Sequence, residues 1–423
     1  MNNKFDGQRA YKFIKKINFN RLAGTKNEKK AANIISKEFE SFGLKAEFKK
    51  FKMATSHASY TEFKVLEPYQ KTITISHRAV SGTTPPQGIE AGFKYIESAG
   101  EQYCKDIENK VVMVTGRIDR YVCERLNRRK AIAVLVPMNY KQELFTIGYD
   151  IDFVTKFGNL PIAYISYDDA LEMVKNNVSR VYIKIEDDVD FDAKGTNIIS
   201  EIKGTIKPEE EFLFIGHYDS VLNNGIFDNA AGTATVLEMA RYFNHYPPKR
   251  TAKFILFSGE EMGLKGSKAY VKELKKNDEN LKKIKMVFNF DLGGTILGRN
   301  CVRITGDDEI FNYIDAWNKI DDWDFLVEHD IYSSDNMPFG REGIPAINFY
   351  RSSLGLGHSL SDTIDHISPE YFSIVGDFAI KLTSGIINAP ILPFKRKVGK
   401  EMMKKIKEYF DRSSPEEPDE EKD

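Results

Sequence analysis

The stretch EFLFIGHYDSVLNNGIFDNAAGTATVLEMARYFNHYPPKRTAKFILFSGEE, residues 211–261, passes from an apolar β-type run through a helical segment to a second β-type run. Within it, Val236, Leu237, Ala240 and Phe243 recur at helical spacing between Ala231 and Phe243, a stripe suited to packing on a sheet. The alternation continues downstream. KGSKAYVKELKK (265–276) is helical in pattern, while MVFNFD (286–291) and PAINFY (345–350) are strand-like. Strand and helix in repeated succession predict an α/β fold, a mixed, mostly parallel sheet with helices on both faces. In such sheets ligands bind beyond the carboxyl ends of the strands. His217, Glu260, Glu261 and Asp291 each follow an apolar run at that end, so residues distant in sequence are expected to share one crevice.

Five short segments carry the chemistry: FLFIGHYDS (212–220), GIFDNAAG (225–232), FILFSGEEMG (254–263), MVFNFDLGG (286–294) and GLGHSLSDT (355–363). Together they offer His217, Asp219, Asp228, Glu260, Glu261, Asp291 and His358. Imidazoles and carboxylates without cysteine suit two Zn²⁺-like ions, with Co²⁺ or Mn²⁺ as alternatives in a carboxylate-rich site. Each segment alone also has an ordinary reading: a polar strand end, an N-cap at Asp228, a solvated Glu-Glu loop, a turn at Asp291. Several features favour the chemical one. Asp219, two residues beyond His217 on an extended strand, points the same way and can hold the other imidazole nitrogen. A carboxylate at Asp228 can bridge two cations. Adjacent glutamates after a buried strand are expensive unless metal or hydrogen bonds compensate, which suits Glu261 as a ligand and Glu260 as a base. His358 is preferred to His366, which lies just before a helix start at Ser368-Pro369. His57, His77, His245 and His329 lack carboxylates at metal-like spacing and read as structural.

A chain of 423 residues implies two domains. With 61 basic and 62 acidic residues it carries no overall field for nucleic acid or an anionic membrane. Cys104, Cys123 and Cys301 form no CxxC pair and read as reduced structural thiols. The N-terminal MNNKFDGQRAYKFIKKINF lacks the uninterrupted apolar segment of a signal peptide, and Asp377 and Lys381 interrupt the most apolar region. A soluble, cytoplasmic protein is expected. Thr25 and Glu28 form a capping-box pair ahead of a helix whose Ile35, Phe39 and Phe42 share a face and which Gly43 ends. The β-type runs YTEFKVL, KTITIS, VVMVTG and RVYIKIE mark an inserted β-rich domain over 61–185, between catalytic segments 1–60 and 186–395. In the remainder, 396–423, Val398, Met402, Ile406 and Phe410 define an amphipathic helix that packs on the catalytic domain or on a second subunit of a homo-oligomer. The acidic SSPEEPDEEKD after it reads as disordered.

With these residues in place, the chain resembles the di-zinc exopeptidases that include bacterial leucyl aminopeptidases, aminopeptidases of the S and Y types, glutamate carboxypeptidase and glutaminyl cyclase. The similarity runs through RLAGTKNEKKAANIISKEFESFGL (21–44), TNIISEIKGT (196–205), the five segments above and SSDNMPFGREGIPAINF (333–349). It implies one zinc held by His217 and Asp291, a second by Glu261 and His358, Asp228 between them, Glu260 as general base and Asp219 as orienting residue. It also implies a cis peptide bond between Asp228 and Asn229, and a place outside the ligand set for Asp335. Many relatives have Tyr before the last zinc-binding His, where this chain has Gly357, so a tyrosine contribution to the oxyanion would fall to Tyr350 or Tyr332. The insertion resembles a protease-associated domain through residues 107–138 and 159–174.

The function so implied is a metallo-aminopeptidase acting on peptides with a free N-terminus. A carboxypeptidase or dipeptidase is the alternative, with Arg351, beside Tyr350, as an anchor for the substrate carboxylate. A glutaminyl cyclase, which needs one metal, fits less well. A non-catalytic binding protein on the same fold is a third reading, against which stands the absence of any vacant role.

Overall fold

The computed structural model describes residues 4–144, 156–221, 223–352 and 354–413. It divides into two compact units, Met1–Lys52 with Lys194–Lys407, and Met53–Ala193 with Glu408–Asp423. The chain enters the larger unit's sheet as β1 (Glu47–Lys52). It then builds the smaller unit as β2 (Thr55–Glu67), β3 (Lys71–Thr72), β4 (Ile75–His77), β5 (Ile89–Tyr95), β6 (Lys110–Met113), β7 (Ala133–Pro137), β8 (Ile162–Ile165) and β9 (Arg180–Asp190). It returns through β10 (Lys194–Ile202), β11 (Lys207–His217), β12 (Arg250–Phe257), β13 (Ile284–Phe290), β14 (Asn300–Thr305), β15 (Leu326–His329) and β16 (Ala346–Arg351).

The larger unit's sheet has the order β1-β10-β12-β11-β13-β16-β14-β15. Its centre, β12-β11-β13-β16, is parallel, while β10, β1 and β14 join antiparallel. The expected mixed sheet is therefore present, and period-2 alternation decides what each face packs against. Phe212, Phe214, Phe254, Phe288 and Phe349 face one large core with the helix Ala231–His245. Leu213, Ile215, Ile255, Phe257 and Val287 face the other, with Val271, Leu281 and Phe339 from helices on that side. Phe214 is central to the first face, with ring centroids of Phe243, Phe254 and Phe288 at 5.2, 5.2 and 5.0 Å.

The smaller unit carries its own sheet, β3-β2-β9-β5-β6-β7-β8-β4, with an apolar cluster on each face. Expected boundaries at 60/61 and 185/186 fall inside β2 and β9. Those strands pair from Thr55↔Asp190 to Glu67↔Arg180, so the compact units part further out, at 52/53 and 193/194. There Lys52 lies opposite Lys194 at the end of the β1–β10 ladder.

Half of the expected capping box forms. The Thr25 hydroxyl accepts from the Glu28 N–H at 3.3 Å at the head of the helix Lys26–Ser41. Glu28 itself turns inward, where one oxygen accepts from the Thr196 N–H at 2.9 Å and the Tyr218 hydroxyl at 2.7 Å. The C-terminal helix, Lys400–Ser413, buries Met402, Ile406 and Phe410. From Ser414 onward, the tail read as disordered lies outside the described residues. No helix of the described residues is long and apolar enough to cross a membrane.

Candidate metal centre

The parallel strands end together, and their ends deliver the polar residues. His217 is the last residue of β11, Asp291 follows β13, and Glu260 and Glu261 follow β12 after a Ser-Gly step. His358 comes from the loop after β16. Asp228 belongs to the short segment Ile226–Ala230, where Asp228 (φ −123°, ψ 88°) and Asn229 (φ −140°, ψ 49°) depart from helical geometry and the bond between them is cis. The simple N-cap reading of Asp228 therefore fails. The helix Ala231–His245 has Ala230 at its N-cap with no side-chain cap. Asn229 serves that end instead: its Oδ1 accepts the Gly232 N–H at 2.7 Å, and its Nδ2 donates to the Phe290 carbonyl at 2.9 Å. Glycine is needed at 232, since a Cβ there would lie 2.1 Å from the Phe290 carbonyl oxygen.

Two three-residue groups converge, and Asp228 is common to both: His217, Asp228 and Asp291; Asp228, Glu261 and His358. His217 Nε2 lies 3.2 Å from Asp228 Oδ1 and 3.4 Å from Asp291 Oδ1. His358 Nε2 lies 3.2 Å from Asp228 Oδ2 and 3.0 Å from Glu261 Oε2. The two oxygens of one carboxylate are thus shared between two imidazoles. Asp219 Oδ1 sits 3.4 Å from His217 Nδ1, too far for a well-formed hydrogen bond. Its carboxylate receives the N–H groups of Glu260 and Glu261 instead, both at 3.3 Å. His358, Leu264 beyond the glutamates and Leu292 after Asp291 have φ of 53°, 60° and 67°. Left-handed backbone costs such residues on the order of 1 kcal/mol each, so surrounding contacts must hold these turns in place.

The electrostatics describe a buried nest of carboxylates short of positive charge. Burial opposes a charged ring at His217, yet Asp291, Asp219 and Asp228 hold it well above its usual range. Glu261 above all, helped by Asp228, does the same for His358. Burial would raise the Asp228 carboxyl, but hydrogen bonds from both imidazoles bring it below the usual range. Burial, reinforced by Glu261, Asp291 and Asp335, pushes Glu260 well up. Asp335 is pushed up to about 7 by burial and Asp362 to about 6. His217 Nδ1 and Asp291 Oδ1 are buried without a hydrogen-bond partner. The unpartnered Asp291 oxygen, set beside carboxyls that burial raises and the shared oxygens of Asp228, suits a site for cations. The residues fit the expected ions.

Some positioning groups had no local signal. Both oxygens of Asp362 accept backbone N–H groups, from Phe227 at 2.6 Å and Asp228 at 3.0 Å, which ties the His358 loop to the Asp228 segment. Asn223 Nδ2 adds bonds to the Ser359 and Leu360 carbonyls at 2.9 and 3.1 Å. The fully buried Arg21 guanidinium donates to the carbonyls of Ile17 (2.8 Å), Phe19 (2.9 Å), Tyr218 (2.7 Å), Asn224 and Gly225 (2.8 Å). HSLSDT, DNAAG and RLAGT already contained Asp362, Asn229 and Arg21, but nothing local marks their distant partners.

Arg351 and Tyr350 join neither group. Arg351 donates to the carbonyls of Thr295 (2.7 Å) and Ile296 (3.2 Å) and to Asn300 Oδ1 (2.6 Å). The Tyr350 hydroxyl engages Glu328 and receives Arg303 Nη2 at 3.1 Å. Tyr332, buried, donates to the Asp291 carbonyl at 3.3 Å. At Gly357 a Cβ would lie 3.7 Å from Asp228 Oδ2, so the missing side chain leaves space beside that carboxylate.

Residues 197–383 match the family model described as Peptidase family M28. Over 423 aligned residues the chain is 27% identical to Aminopeptidase YwaD of Bacillus subtilis (strain 168), covering 95% of this chain and 88% of that protein. Carboxypeptidase Q of Bos taurus is 27% identical over 310 residues, 68% of this chain and 64% of that one. The crystal structure of BSAP, a zinc aminopeptidase from Bacillus subtilis, superposes with a TM-score of 0.77 at 22% identity, over 95% of this chain and all of that one, a likeness of fold.

Proposed function

We propose that this chain, whose residues 197–383 match peptidase family M28, is a zinc aminopeptidase that removes N-terminal residues from peptides. The observation that carries this is Asp228, whose oxygens stand 3.2 Å from two different imidazoles and so suit a shared ligand of two ions. In this reading His217 and Asp291 complete one Zn²⁺ site, and Glu261 and His358 the other. Metal held by these residues would supply Lewis-acid polarisation of the scissile carbonyl and a lowered pKa for the attacking water. Glu260, raised by burial and by its acidic neighbours, is suited to take the proton of the attacking water and return it to the leaving amine. Asp219 holds the backbone of both glutamates beside His217, which supports its role as the orienting residue. The strand–helix–strand order of the smaller unit, with the helix Arg120–Arg128 between β6 and β7, supports its reading as a protease-associated domain.

The relative named carboxypeptidase Q keeps a carboxypeptidase in view. Against it, Arg351 belongs to neither metal-binding group, and each of its three nitrogens already donates to its own neighbourhood, which favours a brace over an anchor for a substrate carboxylate. The test is hydrolysis of paired peptides, free and N-acetylated, with metal content measured on the same sample. Acetylation should abolish cleavage; cleavage from the C-terminus of the acetylated peptide would sink the aminopeptidase reading. Glu260→Gln should lose at least about a hundredfold in kcat while retaining its metal, and an active variant would remove Glu260 from the base role.

A further inference from the structure

Between the helix Lys26–Ser41 and the end of the larger unit's sheet lies a cavity of about 290 Å³, lined by Lys29, Asn33, Phe48, Lys50, Lys194 and Thr196 among others. It adjoins a more open hollow of about 500 Å³ that shares Lys29 and Asn33 and runs on along Lys26, Lys30, Ile34 and Lys37. The two are lined by Lys26, Lys29, Lys30, Lys37, Lys50 and Lys194, and by no carboxylate. Glu28, the acidic residue of the first turn, is turned into the interior. Several lysines elsewhere are paired with carboxylates, as Lys275 is with Glu342, Lys319 with Asp315 and Lys405 with Asp330. In the groove, Lys26, Lys29, Lys37, Lys50 and Lys194 have no ion-pair partner among the described residues. In a chain whose charges balance to −1, this is a concentrated basic stripe. Lys26, Lys29, Lys30, Asn33 and Lys37 follow one face of the helix, so it extends about 16 Å at 1.5 Å per residue.

β1 adds a second element. It forms the end of the sheet and, among the described residues, pairs only with β10, so one line of its backbone N–H and C=O groups has no strand partner there. Phe48 on it is 41% exposed. Lysine on a terminal strand commonly discourages pairing with other chains, which accounts for Lys50. It does not account for Lys26, Lys29 and Lys37, which lie on the helix. The same charges that repel a neutral strand admit an acidic one.

We propose that this groove docks an acidic peptide segment, laid along the free edge of β1 with its carboxylates against Lys29, Lys50 and Lys194. An extended peptide can use the open backbone edge and the Phe48 ring as well as the ammonium groups, whereas a phosphate polymer uses only the charges. The site is separate from the metal centre, and its test does not depend on the catalytic reading.

The probe is a fluorescent octaglutamate, N-acetylated and C-amidated, titrated by anisotropy against the metal-loaded full chain at low ionic strength. Saturable binding is expected. It should weaken by at least about tenfold in the double variant Lys29→Glu/Lys50→Glu and less in Lys29→Gln/Lys50→Gln. Lys283→Glu, an exposed change elsewhere, should leave it unaltered, and equal melting temperatures among the variants establish that all are folded. No saturable binding, or undiminished binding in both double variants, overturns the proposal. So does tighter binding of a single-stranded oligonucleotide of equal charge, which would assign the groove to phosphate.

Discussion

At the scale of single residues, a carboxylate that offers one oxygen to each of two imidazoles has no conservative replacement. An amide at 228 keeps the shape but surrenders one acceptor and the charge, so Asp228→Asn is expected to depress metal content at both positions and cut activity more than about a hundredfold. Metal analysis that finds one site still full would show that the carboxylate is not shared. Asp335 supports a different experiment. Burial raises it from 3.8 to about 7, so across roughly pH 4–7 the folded chain holds a proton that the unfolded chain has released. That contribution to stability is complete below the unfolded value and is lost as pH rises through about 7. In metal-free protein, the melting temperature of Asp335→Asn relative to the parent should therefore climb between pH 4 and pH 8. A constant gap would assign the proton elsewhere.

At the scale of elements, the most legible features were those written in consecutive residues. Apolar runs ending in His217, in Asp291 and just ahead of Glu260 announced strand ends, and the parallel centre of the sheet brought those ends together. What escaped was long-range. Thr25 caps its helix as read, but Glu28 abandons the local box for Tyr218 and Thr196, which lie 190 and 168 residues away. Asp228 looked like a cap because a helix follows it, yet Asn229 does that work from a non-helical backbone. Arg21 shows how such distant partners act: one guanidinium gathers carbonyls from the chain before it and from the loop between His217 and Asp228. Arg21→Lys preserves the charge but not the planar fork. A loss of roughly 3 kcal/mol in chemical unfolding, with weaker metal retention, is expected; a variant as stable as the parent would relegate those bonds to ornament. Phe214→Ala, in the apolar face beneath, should cost about 3–5 kcal/mol without altering the metal ligands.

At the scale of the whole molecule, the centre draws on the ends of β11, β12, β13 and β16 and on the start of a helix, so ions bound there would stabilise the larger unit as a body. Chelation should lower its melting temperature, by the equivalent of about 2.7 kcal/mol where metal had been present at a hundred times its Kd. Restored zinc should reverse the loss, and Asp228→Asn should be nearly indifferent to chelator. The junction at Lys52 and Lys194 acts at this scale too. Two neighbouring strands, β1 and β10, are joined not by a turn but by a folded unit of roughly 140 residues. While that unit is folded, its ends are already together and the hairpin closes without further loss of chain freedom. Were it to melt alone, the same ladder would have to close a flexible loop of that length, an entropic burden of about 4 kcal/mol. The terminal strand β1 would then be the first part of the larger sheet to fray.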